Sequence, residues 1–207
     1  LTTNGILLAH HAAELKSVGL RRVNISLDTL KPDRFKYITR MKDSNLDDVL
    51  TGIEVAKSVG LNPVKINMVV MSGINDDELL DFAAKTTDEG WHVRFIELMP
   101  VSGEGTAASQ FVSASDMKKQ LEALGTLEPC STETGNGPAK YFRLPQAKGT
   151  IGFITPVTEH FCLRCNRLRL TADGKLRPCL LSEDEIDLKQ PLRSGMPSAE
   201  LKRLTHD

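Results

Sequence analysis

Arg22-Val23-Asn24-Ile25-Ser26-Leu27-Asp28, answered further along the chain by Val64-Lys65-Ile66-Asn67-Met68-Val69-Val70, is the stretch on which the fold turns. Side chains of a strand point alternately to opposite faces. Val23, Ile25 and Leu27 therefore share a face with Ile66, Met68 and Val70, while Asn24, Ser26 and Asp28 share the other with Lys65 and Asn67. Strands buried on both faces read as continuous apolar runs. Polar residues on one face of two neighbouring strands instead point to a barrel lumen or cleft that takes something polar, or to the solvated face of an incomplete sheet.

Outward from these strands the chain repeats one pattern: amphipathic helix, glycine, strand. A helix over 6–18 places Leu8, Ala12 and Leu15 on one face and stops at Gly19. A second, over 46–58, lines up Val49, Ile53 and Ala56 and stops at Gly60. A third is expected to open on Asn75 as N-cap, with Glu78 completing a capping box, and to end near Gly90 before a strand over 91–99. Alternation with short links predicts an α/β fold of parallel βα units, in an open sheet or a barrel. Beyond a Gly-, Ala- and Ser-rich loop at 102–109 the reading changes to a helix over 115–124, short strands over 140–144 and 150–155, and a hairpin of 167–171 with 176–181 around Asp173-Gly174. A charged helical stretch, 187–207, closes the chain. Two domains are expected, 1–101 and 102–207.

The bulk numbers exclude several classes. Net charge is −1 over 207 residues, which gives no global pull toward nucleic acid or an anionic membrane. No apolar run approaches the roughly 20 residues that span a bilayer. Four cysteines, with Cys130 apart from the rest, do not read as a disulfide framework; an intracellular metal-binding set fits better. Leu1 is not an initiator methionine, and the chain reads as a fragment.

Cys162-Leu163-Arg164-Cys165 and Cys179 carry the chemistry. Two residues between the first pair let both thiolates turn toward one centre, and thiolates select zinc or iron–sulfur clusters. A closed zinc site needs a fourth ligand, for which His160 is the nearby candidate; without it one coordination position stays open. Spacing leaves both metals open. Arg164, Arg167, Arg169, Lys175 and Arg177 crowd the same stretch against Asp173. Arg167 and Arg169, two apart on an expected strand, share a face, and paired guanidinium forks suit a polyphosphate. A solvated basic hairpin is the plainer alternative. Cys130 is read as a thiol without a role.

The run Phe161-Cys162-Leu163-Arg164-Cys165-Asn166-Arg167-Leu168-Arg169-Leu170-Thr171-Ala172-Asp173-Gly174-Lys175, with Cys179 after it, resembles the C-terminal cluster motif of the GTP 3′,8-cyclase family. These are radical S-adenosylmethionine enzymes that open molybdenum-cofactor biosynthesis. Thr2-Thr3-Asn4-Gly5, the segment 22–28, Gly73-Ile74-Asn75-Asp76 and Arg94-Phe95-Ile96-Glu97 match its other blocks in order, so the likeness covers nearly the whole chain. It implies a partial (β/α) TIM-type radical SAM barrel with a C-terminal iron–sulfur extension. It implies conversion of GTP to (8S)-3′,8-cyclo-7,8-dihydroguanosine 5′-triphosphate, with the cyclic pyranopterin monophosphate synthase as pathway partner. It implies a second 4Fe–4S cluster on Cys162, Cys165 and Cys179, its fourth iron open to the guanine, which decides for iron–sulfur. GTP contacts are implied at Thr2, Lys65, Arg94, Arg167 and Arg169, and S-adenosylmethionine contacts at Ser26 and Met99. Arg94 and Met99 have opposite strand parity, so one of them is expected past the strand end or at a bulge.

Two family features are absent from the sequence: the three cysteines of the radical-generating first cluster, expected upstream, and a C-terminal glycine pair. The fragment alone is therefore expected to be inactive, with no catalytic residue of its own. Neither nucleic acid nor membrane is expected as a partner, and a homodimer is left open. Asn62-Pro63-Val64-Lys65 resembles eukaryotic members, which implies the mitochondrial matrix; otherwise the cytoplasm. The competing reading is a non-catalytic, zinc-stabilised nucleotide-binding module.

Overall fold

Strands β1 (Thr2–Thr3), β2 (Val23–Ser26), β3 (Val64–Val70) and β4 (His92–Glu97) lie side by side, parallel and in chain order. Right-handed connections between parallel strands added in one direction put every crossover helix on the same face. A doubly wound sheet would reverse that order and cover both faces. Here the sequential order leaves one face to the helices and the other to a lumen, as in an arc of barrel. The computed structural model describes residues 1–41, 45–100, 109–131, 137–159, 165, 167–179 and 182–204. The chain forms two compact units, one of 1–100 with 104–161 and one of 101–103 with 162–207.

In the first unit the helix-covered face holds the core. Helices α1 (Leu8–Ser17), α2 (Pro32–Thr39), α3 (Leu46–Ser58) and α4 (Leu79–Asp88) supply Leu8, Ala12, Phe35, Val49, Ile53, Phe82 and Ala83 to it. The strands answer with Val23, Ile25, Ile66, Met68, Val93 and Phe95, all fully buried. Each large apolar side chain buried there is worth about 1.5–3 kcal/mol. A one-residue slip of any strand would exchange those side chains for the polar set, so the core fixes the register.

The sheet does not end at β4. Strand β7 (Thr150–Ile154) pairs parallel with β4, and β6 (Lys140–Arg143) and β5 (Glu128–Pro129) add antiparallel at the edge. Helix α5 (Ala114–Leu121) packs on the same core through Ala114, Met117 and Leu121, with Ser113 accepting from Asp116 N at its start. The compact units do not divide at the expected 101–102: 104–161 belongs with the first hundred residues, and β5, β6 and β7 extend their sheet.

Other expectations meet the structure unevenly. β3 matches its expected bounds, while β4 stops at Glu97, short of the expected 99. The capping box of Asn75 with Glu78 does not form. Asn75, fully buried, instead accepts from Met71 N and donates to the carbonyls of Asp28 and Val69. Glu78, also fully buried, accepts from Thr29 Oγ1 and Leu30 N at 2.6 Å each and from Arg34. The two side chains tie the β2–α2 loop to the β3–α4 loop rather than starting a helix. α2 had no counterpart on sequence, because a single buried residue, Phe35, leaves no apolar stripe to read. The expected loop at 102–109 lies almost wholly outside the described residues.

The second unit contains a three-stranded antiparallel sheet, β8 (Arg169–Leu170), β9 (Lys175–Arg177) and β10 (Ile186–Asp187), followed by α6 (Lys189–Arg193) and α7 (Ser198–Arg203). The hairpin turns at Asp173-Gly174 as expected, with Gly174 at φ +88°, a conformation other residues rarely adopt.

Candidate functional site

Register fixes two transverse rows on the lumen face of the first unit's sheet. In one, Thr2 lies beside Asn24, Asn24 beside Lys65, Lys65 beside His92 and His92 beside Thr150. In the other, Ser26 lies beside Asn67, Asn67 beside Arg94, Arg94 beside Gly152 and Gly152 beside Tyr141. Among the described residues, three pairs of neighbours are bonded within the rows, and one bond joins the two rows. Asn24 Nδ2 donates to Thr2 Oγ1 at 3.2 Å, and Arg94 Nε donates to Asn67 Oδ1 at 2.7 Å. His92 Nδ1 and Thr150 Oγ1 share a hydrogen bond of 3.0 Å. Lys65 Nζ donates to Tyr141 Oη at 3.4 Å and stands 5.4 Å from the centre of its ring.

These rows carry Lys65 and Arg94, joined by Arg143 two residues along β6 from Tyr141, and no carboxylate; Glu128 stands opposite Arg143 on the edge strand. Lys65 is 6% exposed, a cation almost withdrawn from solvent. Lys65 and Arg94 stand on neighbouring strands of a face that admits little water, and two cations so placed favour an anionic ligand. At the strand end, burial raises the pKa of Asp28, against the opposing hydrogen bond its carboxylate accepts from Val69 N at 2.8 Å.

Burial lowers the pKa of His92, and the positive charges of Lys65 and Arg143 lower it further. The folded protein therefore holds this imidazole neutral at pH values where the unfolded chain has begun to protonate it. The unfolded state binds the extra proton, so stability is full above the ordinary histidine value and falls as pH drops toward the folded value. Wild-type protein is expected to lose unfolding free energy between about pH 7 and 5 that a His92→Asn protein keeps. Urea midpoints across that range check this, and parallel curves for the two proteins would refute it.

Four of the expected site residues thus meet on one face: Thr2, Ser26, Lys65 and Arg94. Met99 lies two residues past the end of β4, half-buried, which resolves its parity conflict with Arg94. Cys165, Cys179, Arg167 and Arg169 belong to the second unit. Cys165 and Cys179 are exposed and outside any disulfide. Cys162 and His160 lie outside the described residues, and among the described residues no three His, Cys, Asp or Glu side chains gather into a metal site. Two exposed thiols, with Cys162 three positions before Cys165 in the sequence, are a donor set that suits a soft metal or cluster.

The basic hairpin needs two corrections. β8 begins only at Arg169, so strand alternation does not set the direction of Arg167, and the two arginines are not shown to share a face. Lys175 and Arg177 are both paired with Glu185 on the approach to β10, so part of the expected cationic patch is neutralised within the unit. Sequence reasoning also missed Tyr141, His92 and Glu97. Tyr141 and His92 needed the pairing of β7 with β4 and β6, which no local pattern announces. Glu97 sits on the packed face at 1% exposure, where its carboxylate accepts from Ala114 N, Val157 N and Thr158 N at 3.0–3.1 Å, and from the Thr158 hydroxyl.

Comparison with known proteins gives two family matches. The Radical SAM superfamily matches residues 1–85 and the family Molybdenum Cofactor Synthesis C matches residues 91–207. The chain is 54% identical over 201 residues to a GTP 3′,8-cyclase of Moorella thermoacetica, covering 97% of this chain and 62% of that one. It is 53% identical over 206 residues to the enzyme of that name from Heliobacterium modesticaldum, covering 99% and 62%. A third, from Thermodesulfovibrio yellowstonii, is 50% identical over 203 residues, covering 98% and 62%. The chain therefore spans about 62% of the length of these relatives. All three are bacterial, which gives no support to the mitochondrial expectation. The sequential parallel sheet and the superfamily match together make the first unit a partial TIM-type radical SAM barrel.

Proposed function

The chain belongs to the Molybdenum Cofactor Synthesis C family, and from that membership we propose that it is the GTP- and second-cluster-binding part of a GTP 3′,8-cyclase. The parent activity is a radical SAM lyase reaction that turns GTP into its 3′,8-cyclised dihydroguanosine triphosphate. The bacterial relatives support a cytoplasmic location. One observation carries the reading: Lys65 and Arg94, two cations on adjacent strands, face the lumen with Thr2 and Ser26 and without a carboxylate among them.

In this reading Lys65 and Arg94 neutralise the phosphates. Lys65 acts as a compact point charge, and Arg94 as a fork oriented through Asn67. Thr2 and Ser26 contribute hydroxyls beside them, with Ser26 and Met99 turned to S-adenosylmethionine. Within the second unit, Arg167 and Arg169 are the residues proposed as nucleotide contacts. Cys162, Cys165 and Cys179 would hold a 4Fe–4S cluster whose remaining iron, lacking a protein thiolate, supplies a Lewis-acid position for the guanine. A first cluster, held elsewhere in the parent protein, would supply the radical from S-adenosylmethionine. The cyclic pyranopterin monophosphate synthase would take the product onward.

Anaerobic calorimetric titration tests this. Lys65→Ala and Arg94→Ala are each expected to weaken GTP binding about 10- to 100-fold, the loss of one charge-assisted contact. Unchanged affinity in both variants would sink the reading.

A further inference from the structure

Strand β6 brings a residue to the lumen that neither the family reading nor the strand pattern assigns. Tyr141 approaches Lys65 from the far side of β4 and β7, its hydroxyl 3.4 Å from Nζ and its ring centre 5.4 Å away. The ring lies across Gly152. A Cβ at Gly152 would stand 3.0 Å from Tyr141 Cε1 and 3.1 Å from Arg94 Cγ. Both contacts are tighter than side-chain packing ordinarily allows, so the missing side chain at Gly152 is what lets Tyr141 and Arg94 close over the same point of the sheet. Lys65 is flanked in its own row by His92, which is held to Thr150, and by Asn24, which is held to Thr2. Those neighbours bond to the next residue along the same row, while Tyr141 reaches the ammonium from the other row.

We infer that Tyr141 is a positioning residue for Lys65: hydroxyl and ring face together hold the ammonium where a phosphate of the bound nucleotide meets it. The inference rests on the GTP reading above. A lysine has a flexible stem, and each contact that fixes its ammonium lowers the ordering cost when it meets an anion. Tyrosine suits the task because its ring attracts the cation while its hydroxyl accepts from it, and neither group competes as a carboxylate would for the charge that the phosphate needs. The hydroxyl is a neutral acceptor that binding can displace. An acidic residue at the same place would neutralise Lys65 and repel the ligand.

The test is a double-mutant cycle in the protein with its iron–sulfur content reconstituted, read as GTP affinity by anaerobic calorimetry. Tyr141→Leu is expected to weaken GTP binding about tenfold, with Tyr141→Phe between it and wild type because the ring remains. In a Lys65→Ala background Tyr141→Leu is expected to change nothing more, since the residue acts through Lys65. Thermal midpoints within a few degrees of wild type for Tyr141→Phe show that a loss there comes from the site and not from unfolding. Wild-type affinity in Tyr141→Leu, or a full additional loss on top of Lys65→Ala, would overturn the inference and leave the GTP reading standing. Wild-type affinity in Lys65→Ala would overturn the role of Lys65 and with it this inference. The single and double variants thus tell the two failures apart.

Discussion

Replacing Glu97 by alanine is expected to lower the unfolding free energy by about 4 kcal/mol, at the upper end of what single substitutions do. The carboxylate is 1% exposed and serves four donors from two segments far along the chain. One is Ala114 N, at the first turn of α5, where backbone amides have no partner within the helix and a negative charge is favoured. The others are Val157 N, Thr158 N and the Thr158 hydroxyl, in the turn that follows β7. Alanine leaves three backbone N–H groups without an acceptor at a place water does not reach readily, and each such orphan costs about 1–3 kcal/mol. Thr158→Val removes one donor and keeps the carboxylate paired, so it should cost about 1 kcal/mol. Urea unfolding measures both; a Glu97→Ala midpoint as mild as that of Thr158→Val, with the same slope, would contradict the assignment.

The second large effect concerns the metal. Cys165→Ser or Cys179→Ser is expected to abolish iron binding by the second unit. A cluster needs thiolate ligands, and a serine hydroxyl is neither soft nor deprotonated near neutral pH. Both thiols are exposed and uncommitted to any disulfide, so their loss removes ligands without opening a core. Cys130 is the internal control. It belongs to the first unit, is half-buried, and sits where its backbone N–H donates to Tyr141 O at the β5–β6 edge. Cys130→Ser should keep the full iron content. A serine at Cys179 that retained iron while one at Cys130 lost it would reverse the assignment.

The packed face was legible because it repeats: Val23, Ile25 and Leu27, then Ile66, Met68 and Val70, announce period-two strands that the core then enforces. The polar face followed by parity for Ser26 and Lys65, whereas Thr2 and Arg94, and the site roles of all four, came from the family resemblance; β4 ending at Glu97 then leaves Arg94 within the strand and Met99 beyond it. What stayed hidden depended on pairing between distant segments. Tyr141 reaches Lys65 only because β6 adds antiparallel to β7, and nothing within 140–144 encodes which strand it will join. Asn75 and Glu78 carried a local capping signature, but buried polar side chains answer to the nearest unsatisfied backbone groups. Those groups were the strand ends of β2 and β3 and the loop at Thr29 and Leu30. Arg167 and Arg169 were read by alternation, which has no force where only Arg169 and Leu170 form a strand.

Metal content separates a cluster on the cysteines from a zinc ion most directly. Chain purified without oxygen should be brown and contain iron and acid-labile sulfide in equal amounts, with zinc negligible. Colourless protein holding one zinc per chain would contradict the account and leave the zinc-stabilised nucleotide-binding module in its place.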